Sequence, residues 1–210
     1  QYFFVAKTSS DIAKAVAAAR RLKIPFFILG EGSNVLASDK GFPGLVVKLK
    51  TTNYKLQGTR VWAEAGVSMD TLVKETGKRG LAGLEWAGGL PGTVGGAVRG
   101  NAGAFGGEVK DAIKEVEVLD DSGNIKKFNL AQCRFAYRSS IFKEKNLVVL
   151  SATFRLQKGD KKEIQAVAQD HIRYRKERHP LEYPNAGSIF KNCDLKKVPK
   201  ALREAMKDVI

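Results

Sequence analysis

Two glycine-bearing segments hold most of the chemistry this sequence could perform. Gly30-Glu31-Gly32-Ser33-Asn34 follows the apolar run Phe26–Leu29. Glycines at a strand exit permit positive φ and close backbone approach, so successive N–H groups can cradle an anion. Ser33 and Asn34 would add side-chain hydrogen bonds to phosphate oxygens. A tight strand-exit loop is the plainer reading of so short a pattern. The segment is neither a dinucleotide fingerprint, since no third glycine opens a following helix, nor a P-loop. The second segment is richer: twelve of the chain's 21 glycines fall between Gly77 and Gly107. Its core reads Gly88-Gly89-Leu90-Pro91-Gly92-Thr93-Val94-Gly95-Gly96-Ala97-Val98-Arg99-Gly100-Asn101-Ala102-Gly103-Ala104. This is too apolar for a flexible linker. Backbone pressed against a flat ligand, with N–H groups aimed at phosphates or ring heteroatoms, explains it better than a cluster of turns.

The elements that must position these segments follow from hydrophobic periodicity. Residues 1–6 read as a strand. Ser9, Ser10 and Asp11 offer N-cap chemistry for a helix carrying Ile12, Ala15, Val16, Ala19 and Leu22 on one face, stopped by Pro25. Phe26–Leu29 suits a buried parallel strand, and Leu45–Leu49 another. Residues 55–65 form a hairpin around Gln57-Gly58, Met69–Lys78 a short amphipathic helix, and residues 113–129 a second hairpin around Asp121-Ser122-Gly123-Asn124. Residues 147–156 alternate as a strand. Residues 161–176 are helical, with Ile164, Val167, Ala168, His171 and Ile172 on one stripe, and 199–210 form a last helix opened by Pro199. The chain opens in a strand and closes in an uncapped helix, so a fragment is the expectation.

Composition narrows the class. The chain has 210 residues, 43% hydrophobic and 28% charged, with mean hydropathy −0.24, as in ordinary globular proteins. No apolar run approaches a membrane span and no signal-peptide pattern opens it. Cys133 and Cys193 share no CxxC spacing, which disfavours a disulfide scaffold or zinc module, and with His171 and His179 the only histidines, His-rich metal sites and HExxH proteases are excluded. A metal is not expected; a reducing cytoplasm is. The net charge of +14 asks for an anionic partner. The lysines are spread along the chain with no basic arm, which argues against nucleic acid.

Five segments in order identify a resemblance. Gly30-Glu31-Gly32-Ser33-Asn34-Val35-Leu36 is followed by Leu90-Pro91-Gly92-Thr93-Val94-Gly95-Gly96-Ala97 and Asn101-Ala102-Gly103-Ala104-Phe105-Gly106. Then come Phe135-Ala136-Tyr137-Arg138-Ser139-Ser140-Ile141-Phe142-Lys143 and Asn185-Ala186-Gly187-Ser188-Ile189-Phe190-Lys191-Asn192. Across nearly the whole chain this resembles the UDP-N-acetylenolpyruvoylglucosamine reductase (UDP-N-acetylmuramate dehydrogenase) family, in its shorter second type. The resemblance implies an α+β, PCMH-type (vanillyl-alcohol-oxidase-like) FAD fold. Residues 1–50 would form a first lobe, 51–177 a second with the flavin segment, and 178–210 the start of a substrate-binding domain.

By that resemblance, Gly30, Gly32, Ser33 and Asn34 hold the pyrophosphate of non-covalent FAD. Pro91, Gly92, Thr93, Gly95, Gly96, Asn101 and Gly103 line the flavin. NADPH supplies hydride, which the flavin passes to the enolpyruvyl double bond of the UDP-sugar. Arg138 steadies the substrate carboxylate as an enolate-like species forms, a task a planar guanidinium suits better than lysine. Ser188 protonates the adjacent carbon. Tyr137, Arg178, Lys191 and Asn192 are candidates for diphosphate and uridine contacts. The implied protein is a cytoplasmic monomer of peptidoglycan synthesis. The family's third catalytic residue, a glutamate near its C-terminus, and the front of its first lobe have no counterpart here. Cys193 stands where the family often has proline and reads as a structural thiol. His171 reads as a core-edge residue and His179 as a loop residue. The alternatives are another PCMH-type FAD oxidoreductase, a non-catalytic nucleotide-binding remnant, or a basic RNA-binding module.

Overall fold

The computed structural model describes residues 2–145, 147–180, 182–183, 185–188, 190–192 and 197–205. The chain opens with β1 (Tyr2–Ala6), α1 (Ser9–Arg21), β2 (Phe26–Leu29) and β3 (Leu45–Leu49). The three strands form a parallel sheet in the order β1-β3-β2, with Val46 opposite both Phe3 and Phe27. Helix α1 packs on β1 and β3 through Ile12, Ala15, Val16 and Ala19. Its cap lies one residue before the cluster the sequence suggested. Thr8 Oγ1 accepts from Asp11 N at 3.1 Å while the Asp11 carboxylate accepts the Thr8 N–H at 2.9 Å, a reciprocal capping box. Two expectations are corrected. Leu22 is 63% exposed because the helix ends at Arg21 and Lys23 turns to φ +53. Strand β2 is parallel but sits at the sheet edge and is only half-buried, since β3 takes the centre.

The rest builds on an antiparallel sheet ordered β10-β9-β11-β5-β4. Its strands are β4 (Tyr54–Gln57), β5 (Arg60–Glu64), β9 (Ile113–Leu119), β10 (Ile125–Asn129) and β11 (Val148–Arg155). Both expected hairpins are present, and alternation in β5 buries Val61 and Ala63 completely. Helix α2 (Met69–Lys78) is capped by the Ser68 hydroxyl and turns at Gly80 with φ +64. After the strand β6 (Leu81–Ala82) the glycine segment forms helix α3 (Val94–Gly100), a helix its glycine content concealed. Two short strands, β7 (Gly103–Ala104) and β8 (Gly107–Glu108), then pair as a miniature hairpin. Helix α4 (Ile141–Glu144), strand β12 (Gln157–Lys158) paired with β6, helix α5 (Lys161–Arg178) and helix α6 (Lys200–Ala205) complete the described elements. Helix α3 lies against β5 and β11, and α5 lies against α2 and the 3-10 turn Glu85–Ala87. One apolar core, from Ala6 and Ile12 to Phe154 and Ala168, runs under both sheets. No helix among the described residues is long and apolar enough to cross a membrane.

Candidate flavin site

The two glycine segments meet. A Cβ on Gly30 would lie 2.5 Å from Thr93 Oγ1, and one on Gly92 would lie 2.9 Å from Ser33 Oγ. At Gly30 the close neighbour is the buried Thr93 side chain, and at Gly92 it is the φ of +107 that asks for glycine. Residues 92–95 are stitched to the loop after β5. Gly92 O accepts from Met69 N at 3.0 Å, Val94 N donates to Val67 O at 2.8 Å, and Gly95 N donates to Ala65 O at 2.9 Å. The amides of Val94 and Gly95 are therefore spent inside the protein and do not aim at a ligand. The Gly92 amide does face the first loop, where it donates to the Glu31 carboxylate at 2.8 Å. A carboxylate thus already occupies the one amide of this stretch that could serve an anion. Lys48, on β3, donates its ammonium to Gly30 O at the base of the same loop.

The glycines of α3 separate by function. A Cβ on Gly95 would sit 2.8 Å from Ala65 Cβ, so Gly95 serves the packing of α3 on the residues after β5. Gly96 is exposed, and a Cβ there would meet nothing closer than Thr93 Oγ1 at 3.7 Å. No internal contact asks for glycine at 96, which leaves an open backbone face beside the cradle. These features fit a dinucleotide: residues 30–34 and Gly92 could hold a pyrophosphate, and the open face of α3 leaves room for a flat ring. Pro91 and Asn34 are exposed on the same loops, and Gly32 turns the first with φ +85.

A cavity of about 340 Å³ opens beyond α3, lined by Gly103, Glu108, Lys110, Tyr137, Arg138 and Asn192 among others. Arg138 and Tyr137 form a two-residue loop closed by mutual backbone bonds between Ala136 and Ser139, each 3.0 Å. Arg138 takes φ +54, and its guanidinium lies 5.4 Å from the Tyr137 ring centre. Asn101, fully buried with φ +43, caps the end of α3. Its side chain is committed internally: Oδ1 accepts from Lys110 N at 3.1 Å, and Nδ2 donates to Glu108 Oε2 and Ala136 O at 3.0 Å each. The Lys110 ammonium, 2.6 Å from Glu108 Oε2, holds the Glu108 carboxyl below its ordinary value, aided by Asn101 and Arg138. The same bond raises Lys110.

The remaining expected residues are placed less tightly. Lys191 is exposed, and with Arg99 it adds to the effect of burial in lowering Lys143, so three cations gather at one rim. Arg178, at the end of α5, lies 5.9 Å from the Tyr174 ring and is not among the residues lining the Arg138 cavity. Ser188 is exposed on an Asx turn in which Asn185 Oδ1 accepts from Gly187 N at 3.2 Å, and the cavity lining does not include it. His171 is half-buried, bonded through Nδ1 to Glu85 O at 2.9 Å and stacked on Phe105 at 4.0 Å. His179 caps α5 just before Pro180. Burial pushes the Cys133 thiol up to about 12, which leaves it inert. Cys193 lies outside the described residues. Glu31, Lys48 and Glu108 escaped the sequence reading, since no spacing rule singles out one charged residue beside a glycine turn.

The fold is that of a flavin-binding domain, and residues 1–129 match the model of the FAD binding domain family. The Thermus caldophilus UDP-N-acetylenolpyruvylglucosamine reductase structure is 32% identical, with a TM-score of 0.78 over 97% of this chain and 72% of that one. The chain belongs to the FAD binding domain family and, within it, to the UDP-N-acetylenolpyruvoylglucosamine reductases. The reductase of Caldanaerobacter subterraneus subsp. tengcongensis is 44% identical over 86% of this chain and 60% of its own length. The chain thus spans about 60% of that relative. The 6-hydroxy-D-nicotine oxidase of Arthrobacter nicotinovorans, 23% identical with a TM-score of 0.58 over 75% of this chain, shares the fold alone.

Proposed function

We propose that the protein reduces the enolpyruvyl ether of UDP-N-acetylglucosamine to UDP-N-acetylmuramate with NADPH, for peptidoglycan synthesis. The observation that carries this reading is Arg138. It is held with positive φ at the wall of a polar cavity beyond the glycine segments, in a family whose relatives bear the reductase name. FAD held there would supply the hydride chemistry that links NADPH to the enolpyruvyl double bond. Gly30, Gly32, Ser33, Asn34 and the Gly92 amide hold the pyrophosphate, while Pro91, Thr93, Gly95, Gly96 and Gly103 shape the backbone around the ring. Arg138 offers a planar pair of donors to the substrate carboxylate as negative charge develops. The Ser188 hydroxyl gives the proton at the adjacent carbon. Arg99, Lys143 and Lys191 supply a positive rim for the anionic substrate; Tyr137, Arg178 and Asn192 make its outer contacts.

In this reading residues 1–50 and 51–177 are the two FAD-binding lobes and 178–210 begin the substrate-binding part. The protein works as a cytoplasmic monomer and uses no nucleic acid. The test is stoichiometry in protein expressed from its complete gene. Each NADPH consumed should yield one UDP-N-acetylmuramate, with no consumption in the absence of the enolpyruvyl substrate. Rapid oxygen uptake with peroxide release, and no muramate, would instead mark an oxidase of the same fold.

A further inference from the structure

The loop that carries Arg138 is anchored to the end of α3 at two points. Asn101 Nδ2 donates to Ala136 O at 3.0 Å, and Ser140 Oγ donates to Arg99 O at 2.7 Å. The Lys143 ammonium also donates to Arg138 O at 3.3 Å. A non-glycine residue with positive φ is strained and persists only where its surroundings hold it. Asn101 can hold it only if its own amide is fixed, and that is the task of the β7–β8 hairpin. Glu108 Oε2 takes one Nδ2 hydrogen and Lys110 N–H binds Oδ1, so a flipped amide would lose all three bonds. Glu108 gives its ion pair to Lys110, and no ion pair ties down Arg138 among the described residues. Arg138 Nη1 and Glu108 Cγ both flank Gly103, lying 3.4 and 2.7 Å from where its Cβ would stand.

We propose that Glu108 and Asn101 are positioning residues for Arg138. Glu108 orients the Asn101 amide, Asn101 holds the Ala136 carbonyl, and the loop then presents the guanidinium to the cavity with its donors unspent. This rests on the reductase reading above. Truncation of Glu108 releases the amide and lets Arg138 sample unproductive geometries, while the contacts between residues 30–34 and Gly92 stay in place.

The experiment follows flavin reoxidation by the enolpyruvyl substrate in protein from the complete gene, for wild type, Glu108→Ala, Glu108→Gln, Asn101→Asp, Arg138→Ala and the Glu108→Ala/Arg138→Ala double variant. Glu108→Ala and Asn101→Asp should slow reoxidation roughly 10- to 100-fold, chiefly in kcat rather than KM. In Glu108→Ala, FAD affinity and reduction by NADPH should stay within about threefold of wild type, the scatter expected of independent sites. Glu108→Gln keeps an acceptor for Asn101 and should recover most of the rate. In the Arg138→Ala background Glu108→Ala should cost nothing further, because both act through one guanidinium. Wild-type reoxidation in Glu108→Ala and Asn101→Asp, or additive losses in the double variant, would overturn the proposal. If Glu108→Ala does not fold, Glu108→Asp, one methylene short, should give an intermediate loss, and parity with wild type would be equally fatal. A wild-type protein that the substrate does not reoxidise would defeat the function itself, an outcome distinct from normal wild-type turnover with unaffected variants.

Discussion

Gly96 separates a glycine kept for folding from one kept for a ligand. Inside the protein a Cβ at 96 would find only Thr93 Oγ1, at 3.7 Å, and the backbone there is ordinary helix. Replacing glycine by alanine in such a position removes unfolded-chain entropy and stabilises by about 0.5–1 kcal/mol. For a chain of this length that raises Tm by about 1–4 °C. If the flavin lies along α3, the added methyl enters a close-packed contact and costs about 1–3 kcal/mol of binding. That is roughly a 5- to 150-fold weaker Kd. Gly95→Ala is the opposing control. Its Cβ would stand 2.8 Å from Ala65 Cβ and 3.2 Å from Ala65 O, so α3 must move and the fold loses stability with or without flavin. The assays are thermal unfolding of the flavin-free protein and titration of apoprotein with FAD by fluorescence quenching. A Gly96→Ala variant that binds FAD as wild type does, or that unfolds earlier without flavin, would refute the placement of the ring on this helix.

Four further outcomes follow from the same geometry. Ser188→Ala should leave reduction by NADPH intact and cripple reoxidation by substrate; stopped-flow absorbance separates the two half-reactions, and normal reoxidation removes Ser188 as the proton donor. Arg138→Ala should slow the second half-reaction by about 3 kcal/mol, roughly 100-fold, the scale of one oriented charge-stabilising group; Arg138→Lys should recover little, because lysine cannot present a planar pair of donors. Glu31→Gln should tighten FAD binding severalfold at low salt, since a carboxylate on the Gly92 amide competes with the pyrophosphate, and an equal or weaker Kd would deny that competition. Finally, Asp11, Glu108 and Asp120 all bind protons more weakly folded than unfolded. Their contribution is therefore complete above about pH 4.5 and lost as pH falls through the depressed folded values. Urea midpoints should drop between pH 5 and pH 3, and a rise on acidification would contradict the assignment.

The sequence was most informative where one local force decides the structure. Alternation alone located β5 and β11, and the apolar stripe of α2 located that helix to the residue. It was least informative where distant groups compete. Three residues offered to cap α1, and Thr8 prevails because Asp11 can answer it three positions on. Strand β2 looked buried from its run of four apolar residues, yet strand order, which no local pattern encodes, puts it at an edge. Helix α3 was hidden because glycine is the poorest ordinary helix former; Thr93 and packing on Ala65 override the propensity. In the site, the glycines announced themselves by number. The carboxylates of Glu31 and Glu108 did not, because their meaning lies in contacts 61 and 7 residues away.

The most direct test is the visible spectrum of the protein from its complete gene, followed anaerobically through NADPH and then the enolpyruvyl UDP-sugar. A bound, acid-releasable flavin that NADPH bleaches and the sugar restores is expected. A protein that binds no flavin, or whose bleached flavin the sugar leaves unchanged, would contradict the reductase reading.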